Sequence, residues 1–256
     1  VRIASWNVNS LRVREAQVCE WLASQSPEVL GLQEIKMPSE DVPVETFRGL
    51  GYHVVANGQK TYNGVALLSR TEPAEVSHDL PGFPDHQRRV IAATYGETRI
   101  VNLYVPNGQS VGSDKYIYKL DWLDALLVYL QEQLRRYARL AVMGDFNIAP
   151  DDRDVHDPDA WRGKVLCSDP ERERLAGLLG LGLADSFRLF EQPDGVFSWW
   201  DYRAAAFRRK MGLRIDLLLV SPALAGVCTT SGVDVEPRRL ERPSDHAPVY
   251  ADFREA

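Results

Sequence analysis

Residues 141–150 read AVMGDFNIAP. With Leu140 before it, this is the apolar run of a buried strand, yet it ends in Gly144 and then delivers a carboxylate, Asp145, and an amide, Asn147, on either side of apolar Phe146. A strand interior repels such groups, so a strand that presents them at its tip belongs to a sheet whose rim does chemistry. Nine runs of this kind punctuate the chain: RIASWNV (2–8), VLGLQEI (29–35), YHVVA (52–56), GVALLS (64–69), VIAATY (90–95), RIVNLYV (99–105), LAVMGDF (140–146), IDLLLVS (215–221) and VYADF (249–253). They are rich in Val, Ile, Leu and aromatics and bounded by Gly, Pro or Asn, the pattern of strands. Helical spacing separates some of them. From about Lys115 to Tyr137, Leu120, Leu123, Leu127, Leu130 and Leu134 recur at three and four and predict one apolar face. Ser168, Asp169 and Pro170 open a second helix that stops near Gly180, and a third covers about Val13–Ala23. Strands in this number with interspersed helices predict an α/β fold: two packed sheets with helices outside, an α/β sandwich. No low-complexity linker interrupts it, so residues 1–256 read as a single domain.

Composition narrows the function. A chain of 256 residues, 45% hydrophobic, can bury a sizeable core. Three cysteines, Cys19, Cys167 and Cys228, lie far apart without a CxxC pair, which argues against a disulfide framework and a structural zinc site and for a reducing compartment. The N-terminal VRIASWNVNS lacks a basic n-region and a long apolar core, and no stretch has the length of a membrane span, so a cytoplasmic protein without membrane attachment is expected. Thirty basic residues against 36 acidic ones give a formal charge of -6, which excludes coating of nucleic acid by bulk electrostatics and leaves room for a local basic rim. HQRRV, KYIYK, YRAAAFRRK and EPRRLERP are the candidate rim segments.

The polar strand ends recur. RIASWNVN delivers Asn7, VLGLQEIK delivers Glu34, IVNLYVPNG delivers Tyr104 before a Pro-Asn-Gly turn, and LAVMGDFN delivers Asp145 and Asn147. Asp216 sits between Ile215 and Leu217 inside an apolar strand, and Asp245 and His246 precede the last strand. Taken singly, Asn7 is a turn residue, Glu34 an edge carboxylate, Asp145 a helix cap and His246 a structural histidine. Asp216 resists that treatment, because an ionised carboxylate among apolar side chains needs a cation or a donor. A sheet fold would gather all of them at one rim. Glu34 and Asp245 offer hard oxygens that suit Mg²⁺ or Mn²⁺ rather than zinc. Phosphodiester hydrolysis uses such a set: Asp145 to take a proton from water, Asn147 and Asn7 to orient, His246 and Tyr104 to donate to phosphate oxygens, and Asp216 to hold the imidazole.

SWNVNSLR, LGLQEIK, NGVALLSR, NLYVPNG, GDFNIAP, FSWWDYR, GLRIDLLLVS and SDHAPV together resemble the successive motifs of exonuclease III-type DNA repair nucleases, within the endonuclease/exonuclease/phosphatase superfamily, from Arg2 to Phe253. The resemblance implies a four-layer α/β sandwich and Mg²⁺-dependent hydrolysis, with Mn²⁺ able to substitute. The substrate it implies is duplex DNA, cut at abasic sites, at blocked 3′ ends or stepwise from 3′ termini, by a monomer. It places metal ligation on Asn7, Glu34 and Asp245, and catalysis on Tyr104, Asp145, Asn147, Asp216 and His246. It makes Trp199 and Leu213 walls for a displaced sugar, with Asn107 and Arg203 as further substrate contacts. Relatives that accept an abasic nucleotide leave room at the loop matching residues 160–174, which reads AWRGKVLCSDPERER here and leaves the 3′ chemistry the better-supported expectation. Two other readings compete: a phosphatase of inositol or lipid phosphates from the same superfamily, and a non-catalytic DNA-binding relative.

Overall fold

The computed structural model describes residues 1–255. In chain order its strands are β1 (Arg2–Asn7), β2 (Val29–Gln33), β3 (His53–Asn57), β4 (Val65–Ser69), β5 (Ala74–His78), β6 (Val90–Tyr95), β7 (Thr98–Tyr104), β8 (Arg139–Asp145), β9 (Ala184–Asp185), β10 (Trp199–Trp200), β11 (Gly212–Leu213), β12 (Asp216–Val220), β13 (Cys228–Val233) and β14 (Val249–Phe253). The helices are α1 (Leu11–Gln25), α2 (Val44–Gly49), α3 (Asp114–Arg136), α4 (Pro158–Trp161), α5 (Asp169–Leu179) and α6 (Pro222–Ala225). Two six-stranded sheets form, in the orders β13-β14-β1-β2-β4-β3 and β5-β6-β7-β8-β12-β9. Each is built around one parallel pair, β1 with β2 and β7 with β8, and the remaining pairs are antiparallel. A parallel pair needs a crossover, and α1 and α3 supply them. No helix among the described residues is long and apolar enough to cross a membrane.

The crossover helices explain the layers. Ala4, Trp6, Leu30, Leu32, Ala66 and Leu68 of the first sheet pack under Val18, Trp21 and Leu22 of α1. Val101, Leu103, Leu140, Val142, Leu217 and Leu219 of the second sheet pack under α3 and α5. Between the sheets lie Ile3, Val29, Val65 and Leu67 from one side and Ile91, Ile100, Ala141, Met143, Leu218 and Val220 from the other. Both helices start on side-chain caps, Ser10 accepting from Val13 N–H and Ser113 from Tyr116 N–H, and Arg135 and Arg136 lie at the negative end of α3. The result is helix, sheet, sheet, helix, the four-layer sandwich that the motifs implied.

Side-chain alternation then dictates where the polar ends point. Along β1, Ile3 faces the other sheet and Trp6 faces α1, so Asn7, four residues after Ile3, faces the other sheet as well. The same parity carries Ala141 and Met143 to Asp145, Val220 and Leu218 to Asp216, Ile100 to Asn102 and Tyr104, and Val29 to Gly31 and Gln33. The register pairs Asp145 with Tyr104 on one side and with Asp216 on the other, and Asn7 with Gln33. All these residues therefore emerge at one end of the gap between the sheets. Gly31 lets the sheets close: a Cβ there would lie 2.7 Å from the Met143 side chain and 2.9 Å from that of Asn102.

The structure adds five strands to the nine expected. Two of them, β5 and β13, are sheet edges whose exposed or half-buried polar residues lack the apolar run, and β9, β10 and β11 have two residues each. The face of α3 also differs from expectation. Leu123 and Leu130 are buried, but Leu120, Leu127 and Leu134 are only half-buried, and the deepest stripe runs through Tyr116, Lys119, Leu123, Leu126, Leu130 and Gln133. The stripe turns because α3 is wedged between the sheet and α5, so Leu127 faces Gly177 of α5 instead of the sheet.

Candidate active site

Five side chains from separate elements meet at the open end of the gap. Asn7 is fully buried and donates its amide to Glu34 Oε2 at 2.6 Å and to Asp145 Oδ2 at 2.9 Å. Its own Oδ1 accepts from the Asn9 backbone N–H at 3.0 Å, so Asn7 offers the cluster its NH₂ and clamps two carboxylates together. Asp145 Oδ1 accepts from the backbone N–H of Asn147 at 2.9 Å. Glu34 sits just past β2 with φ 51 and Asn147 just past β8 with φ 48, left-handed turns that bend each chain back over the strand ends. Asn147 in turn donates its side-chain amide to Val105 O at 2.8 Å.

His246 completes the centre. Its Nδ1 lies 2.8 Å from Asp216 Oδ2 and its Nε2 3.5 Å from Asp145 Oδ2. An ionised carboxylate can only accept, so Nδ1 carries the hydrogen shared with Asp216. Ser198 Oγ donates to the same Asp216 oxygen at 2.7 Å while accepting from the backbone N–H groups of Ile215 and Asp216 at 3.0 Å. Asp216 Oδ2 thus has two donors, from Ser198 and His246, while Oδ1 is buried with no partner among the described residues. Burial resists a charged imidazole, but Asp216 and Asp145 outweigh it and hold His246 well above its ordinary value. Asp145 is pushed up to about 7, first by burial and, against the pull of His246, by the charges of Asp216 and Glu34.

Such crowding of negative charge fits a cation. Ligand atoms of Glu34, Asp145 and His246 lie within 4.8 Å of one another, and two of the three are hard carboxylate oxygens. Asp245 stands beside this group and not within it. Its Oδ1 accepts from Asn9 Nδ2 at 3.2 Å and its Oδ2 from Trp199 Nε1 at 3.1 Å. The segment Ser198–Trp200 pairs with 245–247 through Trp200 N–H to Asp245 O and Ala247 N–H to Ser198 O, which sends Asp245 and His246 to opposite sides.

The remaining expected residues surround the cluster. Tyr104 is half-buried beside Glu34 and Asp145, its phenol pushed up by burial and then by those two charges, with the Arg89 guanidinium 4.8 Å from its ring centre. Asn107 lines a cavity of about 610 Å³ together with Tyr104, Arg89, Tyr62 and Lys115. Trp199 is half-buried, edge-on to Trp161 at 6.5 Å, and paired with Leu213. Leu213 has no exposed surface and backs Trp199 from the core, so it touches no open space. Arg203 is exposed and ion-paired to Asp201 at 2.7 Å. Three contributors escaped the sequence reading: Ser198, Asn9 and the amide pair beneath the site, in which Gln33 Nε2 donates to Asn102 Oδ1 at 2.7 Å and Asn102 Nδ2 to Leu32 O and Ala66 O. An amide in mid-strand at Asn102 was the available signal, of the same kind as Asp216.

This fold recurs in known proteins. Residues 4–246 match the model of the endonuclease/exonuclease/phosphatase family, and the chain belongs to that family. Within it, the chain groups with the exonuclease III type: it is 38% identical to exodeoxyribonuclease III of Haemophilus influenzae, over 99% of this chain and 100% of that one. The structure of the 3′ phosphatase NExo from Neisseria bound to a product DNA hairpin is 47% identical, with a TM-score of 0.98 over 99% of each chain. That of an AP endonuclease from Archaeoglobus fulgidus is 38% identical, with a TM-score of 0.95 over the full length of both.

Proposed function

We propose that this protein is a Mg²⁺-dependent phosphodiesterase of DNA repair that acts on duplex DNA, foremost at 3′ ends. The observation that carries the reading is the convergence of Asn7, Glu34, Asp145, Asp216 and His246, distant in sequence, on one cluster in which ligand atoms of Glu34, Asp145 and His246 lie close enough to share a cation. Its kinship with exodeoxyribonuclease III, the Neisseria 3′ phosphatase and an AP endonuclease supports DNA over inositol or lipid phosphates. The presence together of every polar residue that the chemistry calls for speaks for a working enzyme over a DNA-binding relative without activity.

Glu34 and Asp145 would hold the Mg²⁺, with Asp245 as a further carboxylate beside them. When bound, the ion supplies positive charge to a phosphate oxygen and to the leaving group. Asp145, fixed by Asn7 on one oxygen and by the Asn147 N–H on the other, accepts a proton from the attacking water. His246, oriented and kept cationic by Asp216, donates from Nε2 to a non-bridging phosphate oxygen. Tyr104, kept protonated by its surroundings, is a second donor. Asn107 and the basic groups of its cavity, Arg89 and Lys115, contact the DNA backbone, as suits an enzyme that reads no sequence.

The choice of 3′ ends rests on the 160–174 loop. Leu166 and Cys167 are each only 4% exposed and pack with Val155, Leu213 and Ile215 beside Trp199, which narrows the space on that side for a nucleotide turned out of an intact duplex, while the other side of the loop, with Trp161 and Cys167, lines a cavity of about 480 Å³. Three end-labelled duplexes test this, one with a 3′ phosphate, one with a recessed ordinary 3′ end and one with an internal abasic site. Mg²⁺-dependent turnover is expected on the first two, with the abasic duplex cut more slowly. Absence of metal-dependent cleavage on all three, alongside turnover of inositol polyphosphates, overturns the proposal.

A further inference from the structure

Two groups of buried ion pairs lie outside the cluster, Arg214 with Asp154 and Asp185, and Lys119 with Glu171, and the second bonds to the loops that carry Asn107 and Asn147. Lys119 of α3 and Glu171 of α5 have no exposed surface and pair directly. Burying two charges costs several kcal/mol, roughly, for each ion, and a well-packed apolar pair would serve stability as well. The hydrogen bonds show what the charges hold. Lys119 Nζ donates to Asn147 O at 2.7 Å and to Asn107 O at 3.1 Å, and its third donor goes to Glu171. An ammonium has three donors, so every one is used. Glu171 Oε1 also accepts from Leu166 N–H at 3.0 Å, and Oε2 from Ser168 N–H at 3.1 Å and Ser168 Oγ at 2.6 Å. Ala149 N–H donates to Leu166 O at 2.9 Å, closing the circuit.

Three loops are joined by this pair: 105–109 after β7, 146–149 after β8, and 166–168 before α5. The first two carry Asn107 and Asn147, and the third packs beside Trp199. Asn147 and Leu166 are held at φ 48 and 77, conformations that non-glycine residues keep only when their surroundings fix them. The Asn147 N–H, in that strained turn, is what fixes Asp145 Oδ1.

We propose that Lys119 is a positioning residue for phosphodiester hydrolysis: through the Asn147 and Asn107 carbonyls it sets the turn that orients Asp145, and through Glu171 it couples that turn to the 166–168 loop. The proposal rests on the hydrolytic reading above. Removing Lys119 alone strands a buried carboxylate and endangers the fold, so the test uses neutral pairs: Lys119→Met with Glu171→Gln, which loses both carbonyl contacts, and Lys119→Gln with Glu171→Gln, which can keep one. Each is compared with the parent protein by its melting temperature and by kcat and KM on the 3′-phosphate duplex. With both variants folded at the assay temperature, the Met pair is expected to lose on the order of 10- to 100-fold in kcat, the scale of a small misplacement of reacting groups, with KM held within about threefold. The Gln pair is expected to fall between. Faster amide exchange across 105–109 and 146–149 should accompany the loss. Parental kcat in either folded variant, or a loss expressed in KM alone, overturns the proposal. If only the Gln pair folds, its kcat decides in the same way. If neither pair folds, Lys119 and Glu171 hold the fold itself, and that outcome overturns the proposal too. A parent protein that cleaves none of the duplexes instead removes the hydrolytic reading, so the two failures are distinguishable.

Discussion

Asp216 shows how much one residue can reveal and what it hides. A carboxylate between Ile215 and Leu217 demands a partner, and that demand points to His246 from the sequence alone. Asp216→Asn keeps the side chain's volume and an acceptor for the imidazole N–H. It takes away the negative charge that favours the imidazolium, and it relieves the repulsion on Asp145. The fold is therefore expected to survive while kcat drops by roughly 10²–10⁴, the range for a disabled acid–base group. Steady-state kinetics beside a denaturation curve check this, and near-normal kcat would separate Asp216 from the chemistry. Asn7, Glu34, Tyr104, Asp145 and Asn147 were legible for the related reason that polar groups kept recurring at the tips of apolar runs. Ser198, Lys119 and Glu171 were not. A serine before two tryptophans reads as a turn, a glutamate three residues after Ser168 reads as a helix cap, and a lysine on a helix reads as solvated. Only the packing of α3 against α5 buries that lysine.

At the scale of elements, the apolar runs located the central strands closely, because a strand covered on both faces has few sequences open to it. Edge strands escaped. β5 and β13 are paired on one side only, and their exposed polar residues carry no alternation strong enough to mark them. The catalytic end of β8 depends on a further feature. Gly144 has φ 148, and a Cβ there would lie 1.8 Å from Leu103 O, on the neighbouring strand. Gly144→Ala therefore forces β7 and β8 apart where they carry Tyr104 and Asp145. A loss of about 2–4 kcal/mol of stability is expected, within the range for strained backbone positions and overpacked cores, together with loss of turnover. Urea denaturation measures the first. An unchanged midpoint would mean that the strands accommodate a side chain, and that the glycine marks the turn and not the contact.

For the whole molecule, the two sheets meet through an apolar interior that turns polar toward the catalytic end, and its titratable groups tie global stability to pH. Tyr95, at the end of β6, is 8% exposed, and its hydroxyl has no hydrogen-bond partner among the described residues. Burial pushes it up to about 12 from an ordinary value near 10. The unfolded chain therefore releases this proton at lower pH than the folded one. Between pH 10 and 12 the folded state binds more protons, so its stability is intact below about 10 and declines as the pH rises toward the folded value, by about 2–3 kcal/mol in all. Cys167, pushed up to about 11 chiefly by burial, contributes with the same sign from about pH 9 upward, whereas Lys119, lowered by its own burial, works in the opposite sense. Tyr95→Phe isolates one contribution. It removes the ionisation together with a buried hydroxyl that lacks a partner, so stability at pH 7 is expected to hold or rise by up to about 1 kcal/mol, and the slope above pH 10 to flatten by about one proton. Urea midpoints from pH 7 to 11.5 for the parent and the variant report both effects. Parallel curves would show that Tyr95 ionises alike in the folded and unfolded chains, and that the end of the sheet gap at which it lies admits water.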